Sequence, residues 1–434
     1  MSDDHSVPCE FLTGAAGTGK TFEIKRRIAE DPHYGLLSST TGVSAINLDT
    51  TTVHSQLGFY DTESLKDRYA SGALHRRLRA LHADGYRNLV IDEISMLHAE
   101  QLDLIHQAIL ECNLGGEKEA LTPPLGLVIT GDFCQLPPVK GRWAFKADCW
   151  EYFAESTTRL TKIWRQADAG FLDALNLSRK GEGTGAAAMF RALGTEFSPG
   201  LDLKFEGTTI MSKNDGVDRY NYMRLSAITH KPITLHNTRW GIQTSDWKNI
   251  PDVLTVKPTA LVMLLANTRD EEGNFLYANG DLAHVEDIPT GAENADNVIA
   301  TPICVRLLRN DSSHWMRPIV RQNLTKQPPD EKLIEQAKLQ GGREPYFDEE
   351  KKRWVLGEVH YWPMRLGYAS TVHKSQGLSL DRVQLDIRNG FFGAANLAYV
   401  ALSRARTIQG MRIVGDPAML ARRIKIDPEV KEWL

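Results

Sequence analysis

Cysteine is scarce in this chain and shows no pattern of pairing. The five cysteines, Cys9, Cys112, Cys134, Cys149 and Cys304, contain no C-x-x-C pair. That excludes the usual zinc-site spacing and disfavours a disulfide framework, so a reducing, cytoplasmic setting is expected. No apolar run reaches about 18 residues, so no membrane span is expected. The opening Met1-Ser2-Asp3-Asp4-His5 is polar and acidic, unlike a secretory signal. Charge of one sign is also missing: 51 Lys and Arg against 55 Asp and Glu leave a net −4. Without a basic global field, any nucleic-acid contact has to come from local loops. No internal repeat of about 20–50 residues is visible, and low complexity is confined to the stretch Gly183–Met189.

What is present is an ordinary globular composition, 42% hydrophobic and 24% charged over 434 residues. That length suits about two to four domains. In the first 140 residues, short apolar runs (Phe11-Leu12, Leu36-Leu37, Leu89-Val90-Ile91, Leu127-Val128-Ile129) alternate with helical patterns and end in small or polar turns. Such alternation predicts parallel strands joined by helices. From about 227 to 365 the texture changes to short β-like pieces, Ala260–Ala266 and Leu282–Val285 among them, with turns at Gly273-Asn274 and Asn279-Gly280. Pro328-Pro329-Asp330 opens a helical pattern that stops at Gly341-Gly342. After 365 the α/β texture returns, so residues 227–365 read as a β-rich insertion within a second α/β unit.

Gly14-Ala15-Ala16-Gly17-Thr18-Gly19-Lys20-Thr21 fits G-x-x-x-x-G-K-[ST] between a strand and a helical pattern. Glycines let backbone N–H groups curl round phosphates, and the helix N-terminus adds partial positive charge. Lys20 is expected at the β- and γ-phosphates of ATP and the Thr21 hydroxyl at Mg²⁺. Asp92 and Glu93 close the next buried strand, where open α/β sheets place their ligands. Asp92 would join the Mg²⁺ shell, and Glu93 would orient and deprotonate water, which favours hydrolysis over a small-molecule kinase. The loop Thr130–Val139 carries Asp132 and Gln135. These residues suit a γ-phosphate and a neighbouring domain, although the residues alone also read as an ordinary strand exit.

Together the GAAGTGKT, IDEISM and GDFCQLPPV strings resemble the first core domain of superfamily 1 helicases, most closely the group of RecD and the phage Dda helicase. Leu160–Gln166, Ala369–Gly377 and Tyr399–Arg406 resemble the fourth, fifth and sixth motifs. The resemblance implies two RecA-like P-loop NTPase domains, 1–165 (with a small insertion about 56–86) and 166–226 plus 366–434. The second would carry 227–365 as an SH3-like barrel insertion. It also implies that Arg165 and Arg404 reach the γ-phosphate across a cleft, with Gly377 at the nucleotide. Arginines supplied from an opposing domain stabilise charge spread over phosphoryl oxygens and let hydrolysis sense closure. Arg406 reads as solvated or structural.

The same resemblance implies single-stranded DNA contacts at Thr41, Thr52, His54, Thr371, His373 and Lys374. Small hydroxyl side chains suit phosphates without fixing a sequence. The repeated Thr-Val-His suggests two grips whose spacing changes with nucleotide state, although each histidine alone reads as a surface residue. Movement 5′→3′ with strand exclusion on tailed duplexes follows by analogy. So do a phage replication or recombination setting and a replication or single-strand-binding protein as partner, while the lack of a basic tail suggests a monomeric motor. A non-translocating ATPase switch and an RNA helicase are the alternatives. Trp240, Trp247 and Trp315 are expected as buried barrel aromatics, with base or strand contacts as the alternative. The chain departs from the family pattern in two places. Residues 1–10 contain no glutamine to read adenine, so use of other nucleotides is expected. The strand-separating pin expected between His54 and Arg87 is replaced by a helical pattern, Leu65–His82, leaving Phe59 or Tyr60 as the wedge.

Overall fold

The computed structural model describes residues 7–48, 50–115, 118–162, 168–244, 247, 250–269, 271, 275–277, 279–289, 302–325 and 327–433. The chain divides into two compact units, Met1–Val217 with Ser370–Leu434, and Asp218–Ala369.

The first unit holds two parallel sheets, here its two lobes. Strands β1 (Cys9–Gly14), β2 (Leu36–Ser39), β3 (Thr51–Thr52), β4 (Asn88–Asp92), β5 (Gly126–Gly131) and β6 (Thr157–Leu160) form the first. Their spatial order is β3-β2-β4-β5-β1-β6, and every pair is parallel. β5 is buried along its whole length and β4 from Leu89 onward, because helices cover both faces of such a sheet. Helix α1 (Lys20–Glu30) leaves the phosphate loop and drives Ile24 against Leu12, Val90 and Val128. The carboxyl ends of β1, β4 and β5 therefore lie side by side.

The second lobe orders its strands Ala369–Thr371, Thr208–Met211, Val383–Asp386, Met411–Val414 and Glu196–Ser198. The glycine-rich stretch becomes the helix Gly183–Ala192, packed against Pro417–Arg423. A Cβ on Gly183 would stand 2.2 Å from the Ala421 carbonyl oxygen, so glycine here sets how closely two helices approach.

Between His54 and Arg87 the chain forms two helices, Thr62–Ala70 and Ala73–Ala83, rather than the single run over Leu65–His82. The break falls at Ser71 and Gly72, where Gly72 has φ 68°. The pair docks on the helix Ala99–Leu114, whose Glu111 takes hydrogen bonds from both Tyr69 and His75. Arg77 and Arg79 bond backbone carbonyls of Gln56 and Glu119, which makes them fasteners of this insertion.

The second unit is β-rich. One antiparallel sheet runs Ser313–Met316, Ile303–Leu307, Leu282–Asp287, Leu261–Leu264, Met364–Leu366; another joins Thr238–Gly241, Arg353–Tyr361 and Ile319–Thr325. Val262, Leu264, Val285, Val305, Met316 and Trp362 share its main core. The turn expected at Gly273-Asn274 lies outside the described residues. Asp330 accepts the Leu333 N–H at 2.8 Å and caps the helix Glu331–Leu339. Trp240 and Trp247 are buried, but Trp315 is 55% exposed. The alternation of a strand explains this correction: Met316 points into the core, so its neighbour Trp315 points out.

Candidate active site

The phosphate loop follows β1 with backbone that only glycine adopts readily: Gly17 and Gly19 have φ 85° and 87°. The Lys20 ammonium folds back over the loop, donating to the carbonyls of Gly14 (2.8 Å) and Ala15 (3.1 Å). The Thr18 hydroxyl also turns inward, donating to the Ala15 carbonyl at 2.9 Å. Gly14, Ala15 and Thr18 thus brace the loop, while Ala16, Gly17, Gly19, Lys20 and Thr21 face the cleft.

β4 supplies the two carboxylates. The Thr21 hydroxyl donates to Asp92 Oδ2 at 2.9 Å, and the Glu93 N–H donates to Asp92 Oδ1 at 2.8 Å. Glu93 sits in the left-handed region at φ 58°, an uncommon conformation for a non-glycine residue and one that recurs at functional sites. The end of β2 fixes this turn: Thr40 Oγ1 donates to the Glu93 carbonyl at 2.7 Å. Burial, together with the adjacent Asp92 charge, pushes the Glu93 carboxyl up to about 7 against the opposing charges of Lys20 and Arg404. Burial likewise raises Asp92, opposed by the Glu93 N–H, the Thr21 hydroxyl and Lys20.

These groups line a cleft of about 430 Å³ that is completed by Ser44, Leu48 and Gln135 from the first lobe and by Gly377, Ser379 and Arg404 from the second. Arg404 is 1% exposed. Its Nε donates to the Val400 carbonyl at 2.8 Å, and a terminal nitrogen donates to Ser403 Oγ at 2.8 Å. From the same lobe, Gln376 Nε2 donates to Glu93 Oε2 at 3.3 Å.

The structure therefore gathers Lys20, Thr21, Asp92, Glu93, Gln135, Gly377 and Arg404 at one place. Asp132, expected at the nucleotide, is not among the lining residues; it is fully buried behind them and ion-paired with Arg179 at 3.0 Å. A carboxylate held by its own cation has no need of a phosphate partner. Arg165 lies outside the described residues. Arg406 is an exposed residue paired with Asp381 at 2.9 Å.

The expected DNA contacts lie away from this cleft. In both Thr-Val-His pieces the threonine hydroxyl takes a backbone N–H: Thr52 caps the short helix Val53–Leu57 by accepting the Ser55 N–H, and Thr371, just before the turn His373–Ser375, accepts the Lys374 N–H, each at 3.2 Å. Thr41 similarly accepts the Ser44 N–H at 3.2 Å, which turns Ser44 toward the cleft. His54 borders a separate cavity of about 810 Å³ with Tyr60, His98, Lys140 and Arg142. Burial, reinforced by His98, lowers His54 to about 4, so it is neutral at physiological pH. His373 and Lys374 are exposed. Phe59 is buried against His54, with ring centroids 4.6 Å apart, which removes it as a wedge; Tyr60 is 71% exposed.

Sequence reasoning missed Gln376, Ser379, Asn396, Tyr399 and Arg179. Gln376 and Tyr399 stand inside strings already singled out. Nothing local marks Arg179, because its partner Asp132 is distant in sequence.

A family model described as PIF1-like helicase matches residues 4–176. Human (Homo sapiens) ATP-dependent DNA helicase PIF1 is 28% identical over 438 residues, covering 97% of this chain and 60% of that protein. The chain thus spans about 60% of that relative's length, less than two thirds. The crystal structure of Candida albicans Pif1 helicase is similar over 100% of this chain and 98% of that one, with TM-score 0.69 and 24% identity. Bacteroides Pif1 in complex with ADP-AlF3 and ssDNA gives TM-score 0.61 at 22% identity, covering 99% and 92%. The two RecA-like lobes with an accessory unit are the fold these structures share. In fold and in this assembled cleft, the chain resembles the PIF1-like helicases, whose family model matches its first part.

Proposed function

We propose that this chain is an ATP- and Mg²⁺-dependent DNA helicase that moves 5′→3′ on single-stranded DNA and opens duplex by excluding the second strand. One observation carries the reading. The carboxylate able to take a proton from water, Glu93, stands beside the Thr21–Asp92 pair on one lobe and faces Arg404 from the other.

Thr21 and Asp92 present only oxygen, with Asp92 buried and lifted in pKa, a donor set that suits a hard cation carrying its own water. Mg²⁺ bound there would neutralise charge on the β- and γ-oxygens. Lys20 would leave its loop carbonyls for the phosphates. Glu93 would orient water and accept its proton, a task matched by a pKa near the working pH. Arg404 would meet charge developing on the transferred phosphoryl group, as would Arg165 by the family resemblance. Because Arg404 arrives on the second lobe, hydrolysis requires both lobes in place, which ties chemistry to lobe movement.

Stepping needs two grips, and the two Thr-Val-His pieces supply one per lobe. Their threonines set short helices that present His54 and His373 with Lys374. The Bacteroides relative was solved with ssDNA, which supports the same substrate here. Tyr60 is an exposed aromatic in the turn before the helix Thr62–Ala70, within the stretch where a pin was expected, and it takes the wedge role. The resemblance points to replication or recombination, with a replication or single-strand-binding protein as partner.

The test is ATPase activity with and without single-stranded DNA or RNA, for wild type and Glu93→Gln. DNA-stimulated hydrolysis lost in the variant is expected. Stimulation by RNA alone, or a fully active variant, would overturn the proposal.

A further inference from the structure

The Tyr399 hydroxyl joins the phosphate loop to the interlobe contact. Tyr399 lies on the helix Leu397–Leu402 of the second lobe and is 4% exposed. Its oxygen accepts the Ala16 N–H at 3.1 Å and donates to Asp132 Oδ2 at 3.3 Å. The other Asp132 oxygen accepts from Arg179 at 3.0 Å and from the Cys134 N–H at 3.1 Å. Arg179 ends the helix Ala169–Arg179, which packs on the Tyr399 helix. Beside them Asn396 Nδ2 donates to the Gln135 carbonyl at 2.8 Å, and Gln135 itself lines the cleft. Three second-lobe side chains thus hold the loop after β5, and one of them also holds the phosphate loop.

We propose that Tyr399 is a positioning residue that couples nucleotide binding to lobe contact, and through it to DNA affinity. The inference rests on the helicase reading above. Ala16 faces the cleft, and its N–H belongs to the set that phosphates recruit. A triphosphate that draws this N–H takes a donor from the Tyr399 oxygen. The phenol then keeps only Asp132, and the balance of the buried Asp132–Arg179 contact changes with it. In a low-dielectric interior such chains polarise one another, so a change at one end is felt at the other. Burial and the Asp132 charge both raise the Tyr399 pKa, which keeps the phenol protonated and able to donate throughout the cycle.

The readout is the ratio of affinities for fluorescein-labelled oligothymidylate without and with Mg²⁺ and AMP-PNP, a coupling factor independent of either affinity alone. Wild type is expected to show a change of about fivefold or more. Tyr399→Phe is expected to bring that ratio to within about twofold of one, because the ring stays and only the hydroxyl is lost. A purely packing role would lower the melting temperature and leave the ratio intact, and that result overturns the inference. Should Tyr399→Phe fail to fold, Asp132→Asn is read instead and is expected to collapse the same ratio; a wild-type ratio in that variant also overturns it. Failure of wild type to bind AMP-PNP or the oligonucleotide would sink the helicase reading itself, a separate outcome.

Discussion

The two parallel sheets of the first unit share an architecture and differ in what their strand ends carry. The first presents a phosphate loop, a threonine–aspartate pair and an activated glutamate at the ends of β1 and β4. The second contributes Gly377, Ser379, Arg404 and Gln376 to the same cleft, with no phosphate loop of its own. In the proposed function, one sheet would hold the reactants and the other would complete the site. From this difference we expect large catalytic effects on both sides, with different signatures.

The largest effect should come from the first sheet: Lys20→Ala is expected to lower kcat by about 10³ or more, since the cation that would meet the phosphates is lost. ATPase assays at saturating nucleotide measure it. The comparison would break if Arg404→Ala were mild. A loss of about 10³ is expected there, without rescue by Arg404→Lys, because a lysine cannot reproduce the fork held by Val400 and Ser403. Glu93→Gln should cost about 10²–10⁴ through loss of the base while leaving ATP binding in place.

A smaller and sharper expectation concerns pH. A base with pKa near 7 gives a kcat/KM for ATP that falls about tenfold per unit below that value. Stability carries the opposite sign. The folded pKa of Glu93 lies above its ordinary 4.5, so the folded state holds more proton between the two values. The stability contributed by this group is therefore full below about 4.5 and lost as pH rises through about 7. Urea melts should show Glu93→Gln more stable than wild type at pH 8, with the difference closing in acid. The smallest effects belong to the Thr-Val-His turns. Thr52→Ala should cost about 1 kcal/mol as a lost helix cap, seen by thermal melting, with less effect on DNA affinity than His373→Ala.

The sequence made the first sheet's site legible because its chemistry is local. Gly14–Thr21 and Asp92-Glu93 each place their groups within one turn, so residue type and spacing suffice. Arg404, Gln376 and Tyr399 lie in recognisable strings, but their roles depend on which side of a cleft they reach. Asp132 shows the limit: it reads as a nucleotide contact until Arg179, far along the chain, is found paired with it. Trp315 was misplaced for a related reason, since only the register of its strand tells which face it takes. The threonines of the expected DNA grips each hold a local backbone N–H in the structure, a role that residue type alone does not tell from a ligand contact.

The central claim is that hydrolysis at this cleft drives directional movement. The most direct measurement is ATP-dependent unwinding of two partial duplexes, one with a 5′ and one with a 3′ single-stranded tail, by wild type and Glu93→Gln. The account predicts opening of the 5′-tailed duplex alone, abolished in the variant. Opening of the 3′-tailed duplex alone, or hydrolysis with neither duplex opened, would contradict it.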